Sequence, residues 1–135
     1  MDEAFIKKVQ PNSPEAEQSV IGAMIMDRDA IADVIDIVSA DDFYQKQNGI
    51  LFEAMTELYR EGKPVDLVTL QNKLKKKDVP ESMKSLEFIR DLLEAVPTSA
   101  NAKQYAKIVS EKATLRKLIK VTEEEKILYR LIKSC

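Results

Sequence analysis

Residues 12–27 read NSPEAEQSVIGAMIMD, and this stretch decides the class of fold. Ser13 offers an oxygen to the first free amides of a helix, and Pro14 has its φ preset for the first helical position. Glu15 and Glu17 place negative charge against the positive end of the helix dipole. Behind them Ala16, Val20, Ile21, Ala23, Met24 and Ile25 recur at three- and four-residue steps, which makes one broad apolar face. The stretch predicts a helix over 14–26 with strong packing signals. It holds no phosphate loop and no pairing of catalytic side chains.

Working outward, residues 1–13 read as an extended arm running into Pro11 and Ser13. Asp29 is placed to cap a second short helix carrying Ile31, Ala32, Val34, Ile35 and Val38. The turn Asp41-Asp42-Phe43-Tyr44 brings two aromatics to plug the core. A third helix is expected over 45–61, with Gly62 where a helix end favours a left-handed residue. Pro64 breaks the chain, Asp66 caps a fourth helix over 67–77, and a fifth spans 84–95 until Pro97. Thr98 or Ser99 then caps a sixth. From Ala100 to Val121 there is neither Gly nor Pro, so that helix would extend roughly 33 Å.

The sixth helix differs in kind from the others. Ala102, Tyr105, Ala106, Val109 and Ala113 form one apolar stripe, and Ile108, Leu115, Leu118 and Ile119 extend a second. A helix apolar on two sides needs a second neighbour. Two candidates are the tail KILYRLIKSC at 126–135, folding back as a hairpin, and another copy of the chain. The reading is therefore all-α: an arm (1–13), a globular helical bundle (14–96), and a hairpin helix with its tail (97–135).

Composition agrees. The 135 residues are 44% hydrophobic and 33% charged, with 3 Gly, 5 Pro and 6% aromatics, a balance that favours helices in a folded, water-soluble chain. At that length a single domain buries roughly two-thirds of its unfolded surface. The formal net charge of −2 gives no overall attraction to phosphate backbones. The one cysteine, Cys135, allows no internal disulfide, and the opening MDEAFIKKVQP has no signal-peptide core. A cytoplasmic location and no membrane partner are the resulting expectations.

Chemistry is conspicuous by what is missing. With no histidine, there is no His-based acid–base catalysis, His metal ligation or Ser–His pair. One cysteine cannot build a thiolate metal site, and neither GxxxxGK[ST] nor GxGxxG occurs. No catalytic, cofactor-binding or metal-binding residue is assigned. Asp41-Asp42 reads as a helix cap in preference to an acid–base pair, and Glu123-Glu124-Glu125 as a solvated face. Lys73, Lys75, Lys76 and Lys77 read as helix C-terminal charge rather than a phosphate contact. For Lys112, Arg116, Lys117 and Lys120 an interface role and a solvated face stand about even.

Four stretches resemble the N-terminal domain of the DnaB-type replicative DNA helicase family. They are PNSPEAEQSVIGAMIMD (11–27), DFYQKQNGILFEAMTEL (42–58), GKPVDLVTLQNKL (62–74) and VPTSANAKQYAKIVSEKATLRKLI (96–119). They cover over half the chain, in the family's order and at about its spacing. The chain departs from the family at Gln47-Asn48, where a histidine is usual, and at Ser82-Met83-Lys84-Ser85, where Gly-Gly is common. Glu123 to Cys135 is short for the family's second hairpin arm and departs from it in sequence.

What the resemblance implies is a collar rather than a motor: a helical bundle with a protruding hairpin that pairs into dimers, three of which build a hexameric ring. It implies self-association, docking of the primase C-terminal domain, and contact with a helicase loader. DNA, ATP and Mg would engage only the parent helicase's motor, so no cofactor and no enzymatic activity are expected of this chain. Carried onto this sequence, the interface residues are Tyr105, Ile108, Val109, Lys112, Leu115, Arg116 and Ile119. Two other readings stay open: a stand-alone loader or regulator that mimics the collar, and a weak single-stranded DNA-binding module using the Lys/Arg faces.

Overall fold

The computed structural model describes residues 10–94 and 100–133. Among them are six α-helices, two short 3-10 turns and no strand. Helix α1 runs Pro14–Met26, as its start signals dictate, and the Ser13 hydroxyl accepts the Ala16 amide at 3.2 Å. All six residues of its predicted apolar face are buried. The expected caps at Thr98 or Ser99 and the stop at Pro97 lie outside the described residues, as do the first nine residues and Cys135.

Helix α2 (Arg28–Ile35) begins one residue after α1 ends, and its cap is Asp27 rather than Asp29. The backbone breaks at Asp27, whose extended φ and ψ are −142° and 114°, and its carboxylate accepts the Asp29 amide at 2.9 Å. Asp29 is already in the first helical turn, where its charge faces the dipole.

A 3-10 turn over Ala40–Asp42 leads into α3 (Lys46–Arg60). Gly49 lets α3 lie against that turn: a Cβ there would sit 2.7 Å from the Ala40 carbonyl oxygen. At its far end Gly62 takes a φ of +71°, the amide of Gly62 donates to Tyr59, and that of Lys63 donates to Leu58. These two bonds satisfy carbonyls that a helix end leaves open.

Helix α4 (Leu67–Lys75) starts with a reciprocal cap, in which Asp66 accepts the Thr69 amide at 2.8 Å and Thr69 accepts the Asp66 amide at 2.9 Å. It stops before Lys76 and Lys77, shorter than its lysine run predicts. Residues 81–84, expected in part as helix, form a second 3-10 turn that buries Met83. Ser85 then accepts the Phe88 amide at 3.1 Å and opens α5 (Leu86–Glu94).

One core joins all these elements, with Ile21, Met24, Ile31, Leu51, Met55, Leu70, Leu74 and Ile89 fully enclosed. Phe43 plugs it as expected, its ring 5.3 Å from that of Phe52. Tyr44 does not; it is 42% exposed, because its backbone and ring serve the contacts described below. Helix α6 spans Ala102–Lys133, 32 residues in one run of about 48 Å. Its first half packs on α1 and α2. Residues 126–133 do not fold back. With no Gly or Pro in 102–133, nothing interrupts the helix, and Glu123-Glu124-Glu125 lie within it.

Candidate protein–protein interface

The two halves of α6 are built from different residues. The inner half buries Ala102, Ala106, Val109 and Ala113, small side chains that let the helix axis approach α1 and α2 closely. Beyond Ala113 no residue of α6 is buried. There the helix exposes large apolar side chains: Leu118, Val121, Ile127, Leu128, Tyr129 and Ile132 are between 51% and 66% accessible. Leu118, Val121, Glu125, Leu128 and Ile132 recur at alternating three- and four-residue steps, so they share one face.

Of the seven residues singled out from sequence, Tyr105, Ile108, Lys112, Leu115 and Ile119 recur at three- and four-residue steps along one side of α6, a different side from the outer apolar strip. Val109 is 1% exposed and sits inside the core, with Tyr105 and Ile108 packed against that core. Lys112 and Ile119 are half-buried, and Leu115 is 44% exposed. Most of the outer apolar residues were absent from that set, although their spacing was visible. The negative run at 123–125, read as a solvated face, lies between the apolar residues of that strip.

Arg116 is engaged within its own chain. Its guanidinium donates to the Pro11 carbonyl at 2.8 Å and to the Asp42 carbonyl at 2.7 Å, and it lies 5.4 Å from the Tyr44 ring centre. Lys117 adds a looser ion pair to Asp42 at 3.6 Å. Asp42 itself accepts the Ser39 amide at 3.0 Å, a capping role.

Glu17 is the buried charge that holds this corner together. It is 2% exposed, accepts the Tyr44 amide at 2.7 Å and the Gln45 amide at 3.1 Å, and accepts the Asn48 side-chain amide at 3.1 Å. Gln45 makes no side-chain cap of its own, so a carboxylate from α1 caps α3. From sequence Glu17 had only a dipole role. A cleft of about 300 Å³ nearby is lined by Pro14, Gln18, Gln45, Gln47, Asn48 and Leu92, with no charged group among them.

Two of the four lysines at and just past the end of α4 are committed to ion pairs. Lys73 meets Glu61 at 2.8 Å and Glu57 at 3.4 Å, and Lys77 meets Glu57 at 2.9 Å. The hydrogen bond from Lys73, with a second from Lys63, holds the Glu61 carboxyl down to about 2. Glu57 is lowered chiefly by Lys77, and Lys73 is raised chiefly by Glu61. These pairs tie the end of α3 to the end of α4 and leave two of the four lysines spoken for. Among the described residues, no group of three or more metal-ligating side chains comes together, and no helix is long and apolar enough to cross a membrane.

The family model of the DnaB-like helicase N-terminal domain matches residues 9–111. The chain belongs to that family. Its replicative relatives include the DnaB helicases of Geobacillus stearothermophilus, 39% identical over 120 residues, and of Leifsonia xyli, 39% identical over 113. These alignments cover 89% and 84% of this chain but only 26% and 25% of the relatives, so the chain spans about a quarter of their length. Among solved structures, the DnaB N-terminal domain of Mycobacterium tuberculosis superposes with a TM-score of 0.81 at 37% identity, covering 86% of this chain and 84% of that one. The Helicobacter pylori DnaB N-terminal domain, described with its interactions with primase, gives 0.73 at 23% identity over 96% and 99%. The last of these speaks for the fold. The match to the DnaB family model ends at Glu111, just before the basic and exposed apolar part of α6 begins.

Proposed function

We propose that this DnaB-type domain acts in the cytoplasm as the collar of a replicative helicase, mediating ring assembly through self-association and docking primase. The observation that carries the reading is the outer half of α6, where Leu118, Val121, Leu128 and Ile132 stand exposed along one helical face. An exposed apolar strip of this kind, broken only at Glu125, fits a protein-interaction surface, and a second copy offers the same strip in return. Nucleotide hydrolysis belongs to parts of the helicase outside the aligned quarter, and this chain supplies assembly and docking.

Sedimentation across a micromolar concentration series tests the first half of the proposal. Dimers or larger assemblies are expected, dispersed by Leu118→Glu with Leu128→Glu. Titration calorimetry with a primase C-terminal domain tests the second. A chain that remained monomeric at high micromolar concentration and gave no heat with primase would remove both roles and leave the family assignment standing.

A further inference from the structure

Helix α6 loses its last buried residue at Ala113, and from there about 30 Å of helix projects to Lys133. Its direction is set by whatever grips it at the point of exit. That grip is Arg116, whose planar guanidinium bonds two backbone carbonyls that converge from opposite parts of the chain: Pro11, ahead of α1, and Asp42, in the turn before α3. Tyr44 lies under the same cation. Both acceptors are themselves anchored. Pro11 precedes the Ser13 cap, and Asp42 and Tyr44 are fixed by the Ser39 and Glu17 bonds. A fork held by two separate carbonyls restrains rotation as well as distance, which a single point charge does not.

We infer that Arg116 is a positioning residue that aims the outer half of α6, and that through the Pro11 carbonyl it couples the segment ahead of α1 to self-association. The coupling rests on the self-association reading above; the aiming does not. In a two-fold pair both protomers carry the same angular error, and over such a lever a tilt of ten degrees displaces the tip by about 5 Å. Loss of the grip therefore costs the pair its preorganisation while leaving every apolar contact residue in place.

The test uses the full chain with Cys135→Ser, spin labels at Glu53→Cys on α3 and Glu124→Cys on α6, and dipolar distance measurements at dilutions where the protein is monomeric. Arg116→Ala is expected to broaden the distance distribution about two-fold, and Lys117→Ala, which loses only the looser pair, to leave it narrow. An unchanged distribution in Arg116→Ala, or equal broadening in Lys117→Ala, overturns the aiming role. Should circular dichroism show Arg116→Ala to be unfolded, Arg116→Lys is read by the same criterion, since a lysine offers a rotatable point charge in place of the planar fork. In the unlabelled chain, self-association of Arg116→Ala is expected to be about ten-fold weaker. Wild-type association alongside broadened distances overturns the coupling alone. Because the distances come from monomers, they remain decisive even if the wild-type chain never self-associates.

Discussion

Within the single helix α6, Ala102 to Ala113 and Leu115 to Lys133 solve opposite problems. The inner half carries small side chains at its contact positions and is covered by α1 and α2. The outer half carries Leu, Val, Ile and Tyr and buries none of them, although Arg116 at its start is gripped by the bundle. Small residues allow close approach of backbones, and the surface they bury is satisfied within one chain. Large residues on an open face gain only when another surface arrives. The difference teaches that the length of α6 is unnecessary for the bundle, whose core is complete by Ala113.

The sharpest way to break this comparison is to put the same kind of change in both halves. Val109→Asp places a carboxylate where the side chain is 1% exposed, and should cost about 4 kcal/mol, read as a loss of denaturation midpoint. Next in size is Glu17→Ala. It strips the acceptor from the amides of Tyr44 and Gln45 and from Asn48, and should cost about 3 kcal/mol. Glu17→Gln, which keeps one acceptor oxygen, should fall between that and wild type. If both Glu17 variants unfolded at the wild-type midpoint, the carboxylate would be a bystander and the start of α3 would be held by packing alone.

The outer half should behave in the reverse sense. Leu118→Glu with Leu128→Glu changes exposed positions, so the unfolding free energy of the monomer should move by less than about 0.5 kcal/mol. Sedimentation is where the pair should register, as a shift toward monomer. A large stability loss with unchanged association would reverse the assignment of the two halves.

How far the sequence alone could see follows from the range of each interaction. The start of α1, the Asp66 cap and the Gly62 end were legible because donor and acceptor lie within a few residues of one another, although Thr69's return bond to Asp66 came only with the structure. The cap of α2 was misplaced by two residues because Asp27 and Asp29 are equally good cap formers, and only the backbone break at Asp27 chooses between them. Tyr44 looked like core because an aromatic beside Phe43 has no local mark of exposure. Glu17 and Arg116 were beyond reach for a stronger reason. Glu17 caps backbone amides 27 and 28 positions away, and Arg116 bonds carbonyls 74 and 105 positions away. Backbone amides and carbonyls are much the same in every residue, so spacing holds no trace of these bonds. The outer strip was partly visible, but its apolar residues past Glu125 read equally well as a returning tail, and only the unbroken helix to Lys133 puts them in line with Leu118 and Val121.

The smallest expected effect comes from the bundle's surface, at the ion pairs joining α3 to α4. Glu61 is held at about 2 against an ordinary 4.5, mainly by Lys73, so the folded state prefers its carboxylate more than the unfolded chain does. A carboxyl depressed in this way contributes stability that is fully present above 4.5 and is lost as the pH falls toward 2. Both partners are substantially open to water, which keeps the contribution modest and sensitive to salt. The gap in thermal midpoint between wild type and Glu61→Gln should therefore be widest near neutrality, close through the acid range and shrink in high salt. A gap that stayed constant with pH and salt would mean that Glu61 acts through its stem rather than its charge. Lys73 would then be held by Glu57 alone, and the tie between α3 and α4 would rest on the two pairs that Glu57 makes.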